Sequence, residues 1–262
     1  MPSRSKARRL SLRQAAALGA LHGPAELLPI SSSGHVALVP WLLDWEYDRL
    51  DAELRKSFEV ALHAGTAAAL LIALDKEIRG INLRLIALAS LPPAAAGYAF
   101  ERPIERRLGT PQSIAVGLLS GALAMILADR ASQTRRHDEA TTRDALWLGV
   151  AQAFALIPGV SRNGAILTVA RVRGFARRDA NRLSRQMALP VIAGATALKA
   201  LRLQRRSLEA GTLAPFAAGA GAAFASTLGS SWIIRRDGSL LPYAAYRVVL
   251  AAMVLRRPQR DR

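Results

Sequence analysis

Two apolar stretches, residues 11–43 and 145–174, are long enough to cross a bilayer but are interrupted in the middle. The first is broken at Pro24, Pro29 and Ser31-Ser32-Ser33-Gly34, the second at Pro158-Gly159 and Ser161-Arg162-Asn163-Gly164. A helix that spans the hydrocarbon core needs about twenty apolar residues, and each stretch offers instead two pieces of about 10 to 15, too short to cross singly. Irregular backbone at that depth is tolerated only where it is buried in protein or lines a cavity, so both are expected to be re-entrant helical hairpins. A shift of 130 residues lays one on the other without a gap: Leu18-Gly19 falls on Leu148-Gly149, Ala25 on Ala155, Ile30 on Val160, Ser31 on Ser161 and Gly34 on Gly164. Farther on, Ala64-Gly65 matches Ala193-Gly194 at a shift of 129.

Six other segments pass the length test: 57–74, 81–100 with a break at Pro92-Pro93, 108–128, 183–201, 210–234 and 240–255. Arg185 and Lys199 weaken 183–201, Arg247 interrupts 240–255, and Gly219, Gly221 and Gly229 suggest tight helix packing. Each half then reads as a broken hairpin followed by three spans, an odd number that inverts the second copy. The expected fold is all-α: a polytopic integral membrane protein of one domain, 1–262, with inverted repeats at about 11–128 and 142–256. Paired broken segments at matching positions of two halves point to a midplane binding site.

Composition agrees. Half of the chain (51%) is hydrophobic but only 5% is aromatic, so small and aliphatic residues supply the apolar content, as in packed membrane helices. The net charge of +17 could indicate nucleic acid, but the arginines fall in short clusters between uncharged runs, as loops facing anionic headgroups do. Trp41, Trp45, Trp147 and Trp232 stand near segment ends, where interfacial aromatics are expected. With no cysteine, disulfides and thiolate metal sites are excluded. The basic opening MPSRSKARRLSLR leads into a run carrying His22, Pro24 and Glu26, which reads as a retained N-terminus rather than a cleaved signal.

The two turns carry chemistry. Arg162 presents a planar fork suited to phosphate oxygens, and amides at a helix start add an anion site. Ser161, Asn163 and Gly164, brought to Ser31, Ser33 and Gly34, would complete a phosphate cradle, with Ser32 as nucleophile and His35 as its base or as a proton donor. Plainer readings stand beside these: a serine turn and N-cap, Arg162 as an interfacial anchor, His22 and Glu26 as a helix-surface pair, His63 as a packing residue, His137 as a solvated loop residue.

The stretch E-L-L-P-I-S-S-S-G-H at 26–35 resembles the first signature of the bacterial undecaprenyl-diphosphate phosphatases of the bacitracin-resistance type, and P-G-V-S-R-N-G at 158–164 resembles the second. F-E-V-A-L-H-A-G at 58–65, A-L-P-V-I-A-G-A at 188–195 and P-Y-A-A-Y-R at 242–247 extend the likeness in collinear order. The resemblance implies a plasma-membrane hydrolase that converts undecaprenyl diphosphate to the monophosphate carrier lipid of cell-wall synthesis, with a divalent cation, Mg2+ or Ca2+. It implies Glu26 as the second acid, Ser32 as the nucleophilic or phosphate-contacting serine, His35 as the essential histidine, and Arg162 with Ser161 as the diphosphate clamp. His22 stands where the family usually has a Glu or Gln, and with Glu26 is the candidate metal pair; His63 stands where Gln is commoner. Asn163 and Ile166 replace a serine and a threonine of the second signature. The rival reading is a non-catalytic binder or transporter of a polyprenyl phosphate on the same fold, and the oligomeric state, monomer or homodimer, is left open.

Overall fold

The computed structural model describes residues 10–75, 82–130, 133–203, 211–232 and 237–258. The basic N-terminal residues 1–9 and the expected segment edges at 81, 210 and 233–234 lie outside them. Ten α-helices are present among the described residues: α1 (Leu12–Leu27), α2 (Ser32–Leu42), α3 (Ala52–Ala73), α4 (Leu83–Leu108), α5 (Pro111–Asp129), α6 (Thr142–Phe154), α7 (Arg162–Val172), α8 (Arg177–Leu203), α9 (Leu213–Ser230) and α10 (Leu241–Arg256). The caps follow from sequence. Ser11, Asp51, Asn82, Thr110 and Thr141 each accept a first-turn amide, and Thr141 with Asp144 makes a reciprocal capping box.

Three sequence expectations change. Pro24 lies inside α1, and Pro92, Pro93 and Pro103 lie inside α4, which runs unbroken for 26 residues. A proline removes one backbone donor, and packing against neighbouring helices holds such a helix together. The serine and arginine motifs are not turns either: they form the N-caps and first turns of α2 and α7, so the breaks are confined to residues 28–31 and 155–161. Of the six expected spans, the helices Leu83–Phe100 and Pro111–Asp129 are long and apolar enough to cross a membrane by those criteria alone.

The halves interlock crosswise. Helix α1 packs along α9, the fourth helix of the second half, and α6 packs along α4, the fourth helix of the first; α3 meets α8, and α5 meets α10. The linker between halves is pinned at Asp144, which accepts hydrogen bonds from Arg135 (2.9 Å) and Arg173 (2.7 Å), while Arg135 lies over the Phe175 ring. His137, expected to be solvated, is paired with Asp179 at 2.9 Å.

The α1–α3–α9 contact depends on small residues, though not all of those expected. A Cβ on Gly65 would stand 2.1 Å from the Ala220 carbonyl oxygen, and one on Gly19 2.1 Å from that of Gly219, whereas a Cβ on Gly221 or Gly229 meets nothing within 4 Å. Backbone cannot yield as a side chain can, so Gly65→Val is expected to cost about 3 kcal/mol, the upper end for overpacking. In thermal unfolding of the detergent-solubilised protein this lowers Tm by roughly 6–12 °C. Gly221→Ala and Gly229→Ala, which gain helix propensity without a clash, are expected to leave it unchanged or raise it.

Candidate active site

The first connection is shaped by Pro29, which disfavours helix at Leu28 and leaves that residue extended (φ −93°, ψ 154°). Two residues on, Ser31 adopts φ +76°, and at the matching position of the second half Ser161 adopts φ +69°. A left-handed backbone at a non-glycine residue costs of order 1–3 kcal/mol and is held only when its surroundings impose it. Each serine side chain supplies part of that hold, accepting the amide of Gly34 (3.3 Å) or Gly164 (3.2 Å). At Ser31 a second clamp is added: His35 Nδ1 lies 2.7 Å from the Ser31 carbonyl, so Nδ1–H donates, and bare Nε2 accepts from the Tyr246 hydroxyl at 2.6 Å.

With the breaks this short, α2 and α7 begin at one place. Their first turns, with Glu26 from α1 and His63 from α3, line a cavity of about 160 Å³ together with Ala25, Ser31, Ser33, Ala155, Ser161 and Asn163. First-turn amides have no partner within their own helix, so two helix starts face one space and favour an anion there. Glu26 bridges the two halves. Its Oε1 accepts from Arg162 Nη2 at 2.7 Å, and its Oε2 accepts from the Ser32 hydroxyl in a short hydrogen bond. Both side chains are largely buried, at 8% exposed for Glu26 and 15% for Arg162, and Arg162 Nη1 has no partner. The site therefore holds a hydroxyl already bonded to a carboxylate and a guanidinium donor still to be satisfied, side by side.

The sequence-predicted residues separate into two groups. Glu26, Ser31, Ser32, Ser33, Ser161, Arg162 and Asn163 come together at the cavity. His35 does not line it: both ring nitrogens are engaged elsewhere, and the group on Ser32 is Glu26, not His35. Gly34 and Gly164 do not line it either, since their amides close the serine caps. Asn163 touches the cavity, but its amide is spent between halves, donating to the Leu27 carbonyl and accepting from Ser184 (2.6 Å). His22, with Glu26 the expected metal pair, is buried behind the cavity against His63, ring centroids 4.6 Å apart. The expected His63 packing role is thus incomplete: His22, Glu26 and His63 form one group whose possible ligand atoms all lie within 4.8 Å of one another. Two imidazoles and one carboxylate do not make the all-oxygen shell that Mg2+ or Ca2+ takes.

One residue that supports the site escaped sequence reasoning. Arg247, read as a blemish in the last span, is fully buried and donates to backbone carbonyls of both connections, Pro29 (3.3 Å), Gly159 (2.8 Å) and Val160 (3.0 Å), and of Gly117 and Leu118 on α5 (both 3.2 Å). A charge inside an apolar run is by itself a sign of function, and that signal was present.

A helical protein whose two halves join at paired helix starts around a serine, a carboxylate and an arginine is a candidate phosphate-handling protein. Residues 15–253 match the family described as Bacitracin resistance protein BacA. The chain belongs to that family, which is one of membrane proteins. It is 39% identical to the undecaprenyl-diphosphatase of Geobacter sulfurreducens, covering 94% of this chain and 98% of that one. The undecaprenyl-diphosphatases of Trichlorobacter lovleyi and Geobacter metallireducens are 36% and 34% identical, over 94% and 92% of this chain and 97% and 96% of theirs.

Proposed function

We propose that this protein hydrolyses undecaprenyl diphosphate to undecaprenyl phosphate and inorganic phosphate, returning the carrier lipid to cell-wall synthesis. The observation that carries this reading is the chain Ser32–Glu26–Arg162, in which one carboxylate joins a nucleophile from the first half to a cation from the second. The names of the relatives support the substrate.

In the proposed reaction Glu26 takes the proton as Ser32 Oγ attacks the terminal phosphorus. The bridging P–O bond breaks as Glu26 passes that proton to the departing undecaprenyl phosphate. Glu26, again a carboxylate, takes a proton from water as it attacks the phosphoserine phosphorus and returns it to Ser32 Oγ as the P–Oγ bond breaks, releasing phosphate and restoring the hydroxyl. Arg162 Nη1 and the first-turn amides of α2 and α7 stabilise the charge developing on the phosphoryl oxygens. His35 is a positioning residue that fixes Ser31, and through it the start of α2.

We place this site within a multi-pass protein of the plasma membrane, with two re-entrant hairpins and six spans in inverted repeats. The crosswise packing of α1 on α9 and α6 on α4, and the matched strained serines, support the repeat. Exposed Val116, Leu123 and Leu127 on α5 and Val248, Val249 and Met253 on α10 support contact with lipid. An apolar groove of about 390 Å³ against α4 and the end of α6, lined by Ala96, Phe100, Ile104, Ala153, Phe154 and Ile157, flanks Ala155 of the cavity in sequence and suits the lipid's first isoprene units.

Phosphate release by the purified protein from undecaprenyl diphosphate, with the lipid product identified, tests the proposal. Ser32→Ala is expected to lower kcat by about 10^3-fold or more, in the range seen for loss of a catalytic nucleophile or its main stabiliser. Retained lipid binding without phosphate release by the wild type would favour a binder or transporter instead.

A further inference from the structure

We propose that His22, His63 and Glu26 hold a zinc ion, so that this chain carries a nitrogen-rich transition-metal site in place of the hard-cation site implied by its resemblance to the family. It shares Glu26 and His63 with the cavity used above, but metal binding is read without hydrolysis there.

The geometry is that of ligands awaiting a metal. His22 is 1% exposed, its Nδ1 lies 3.0 Å from the Thr66 hydroxyl, and its Nε2 is buried with no hydrogen-bond partner. A buried nitrogen left so costs about 1–3 kcal/mol. His63 Nδ1 lies 2.7 Å from the Glu59 carbonyl. A carbonyl only accepts, so Nδ1 carries the proton and Nε2 presents its lone pair. In His63 one nitrogen is anchored and the other bare, and His22 takes the same form when its Nδ1–H donates to the Thr66 hydroxyl, the arrangement by which metal-binding histidines are oriented. Glu26 contributes a further lone pair, since each of its oxygens accepts only one of the two hydrogen bonds described.

The chemistry selects the ion. Mg2+ and Ca2+ take oxygen ligands, and only Glu26 in this group offers them. Imidazole suits zinc, and a His2Glu set with a fourth position open is a common zinc arrangement. Tetrahedral zinc at 2.0–2.1 Å from each donor brings ligand atoms to about 3.4 Å apart, against present separations of up to 4.8 Å. The plainer account, two neutral imidazoles packed edge to face at 75°, leaves His22 Nε2 unexplained.

Full-length protein purified in detergent, stripped with a chelator and dialysed against buffered Zn2+ in millimolar Mg2+, is expected to retain one zinc per chain. His63→Gln and His22→Ala are each expected to weaken binding at least about tenfold. Co2+ bound in place of zinc gives the visible bands of a nitrogen-ligated, four-coordinate ion, which His63→Gln abolishes. H22E, by adding a carboxylate, is expected to lower zinc affinity and raise affinity for Mg2+. The metal-free thermal transition of each variant shows whether it folds; if His22→Ala does not, the wild-type Co2+ spectrum and His63→Gln decide. Loss of zinc to Mg2+ in the wild type, or zinc retained equally by folded His22→Ala and His63→Gln, would overturn the proposal. Because binding is read without substrate, a failure here is separate from a failure to release phosphate.

Discussion

Arg162→Ala is expected to lower kcat for phosphate release by about 10^3-fold, the upper end for removing one preorganised donor from a dry site. Two effects combine in it. The variant loses the Nη1 donor, which has no partner, from a residue that lines the cavity, and it leaves Glu26 buried without its cation. Arg162→Lys is expected to recover only about tenfold of that loss, because a point ammonium cannot hold the carboxylate through one nitrogen and the phosphoryl group through another. Steady-state phosphate release checks both variants. A protein that only binds or moves the lipid would show the substitution in lipid affinity alone, with no turnover to lose.

Arg247→Met is expected to have the largest effect on the fold. Five carbonyl oxygens, from both connections and from α5, converge on this one guanidinium. Methionine fills similar space but leaves them without a donor, and breaking a buried charged network of this kind costs about 3–5 kcal/mol. For a chain of this size that is a fall of roughly 10 °C in Tm, read by thermal unfolding in detergent. Activity is expected to fall even well below that temperature, since Arg247 fixes the register of the Pro29 and Gly159–Val160 connections from which α2 and α7 begin. Arg247→Lys, with charge but a single nitrogen, is expected to lie between the two.

The positions of the two helix breaks and most of the cavity residues could be read from sequence because they rest on local rules. Pro29 stops one helix, Ser31 and Ser161 start the next, and the shift of 130 residues pairs the two serines. What sequence concealed depends on neighbours distant in the chain. His35 and Ser32 are three apart on a helix and suggest an acid–base pair, yet Tyr246, 211 residues later, takes His35, and Glu26 takes Ser32. Asn163 looked like a phosphate ligand until Leu27 and Ser184 claimed its amide. Pro92-Pro93 suggested a break, but α6 packs along α4 there, with Gln152 donating to the Ala89 carbonyl at 3.0 Å. His63 stands 37 residues from Glu26 in sequence, and the packing of α1 and α3 on each other and against α9 joins them.

The central claim is that residues from the two halves form a single hydrolytic site, and a double-mutant cycle on Glu26→Gln and Arg162→Ala, read as phosphate release from undecaprenyl diphosphate, tests it most directly. Residues that act as a unit are strongly non-additive. The account predicts that the double variant is about as slow as the slower single one. Rate losses that multiply would mean that Glu26 and Arg162 act independently, and would contradict it.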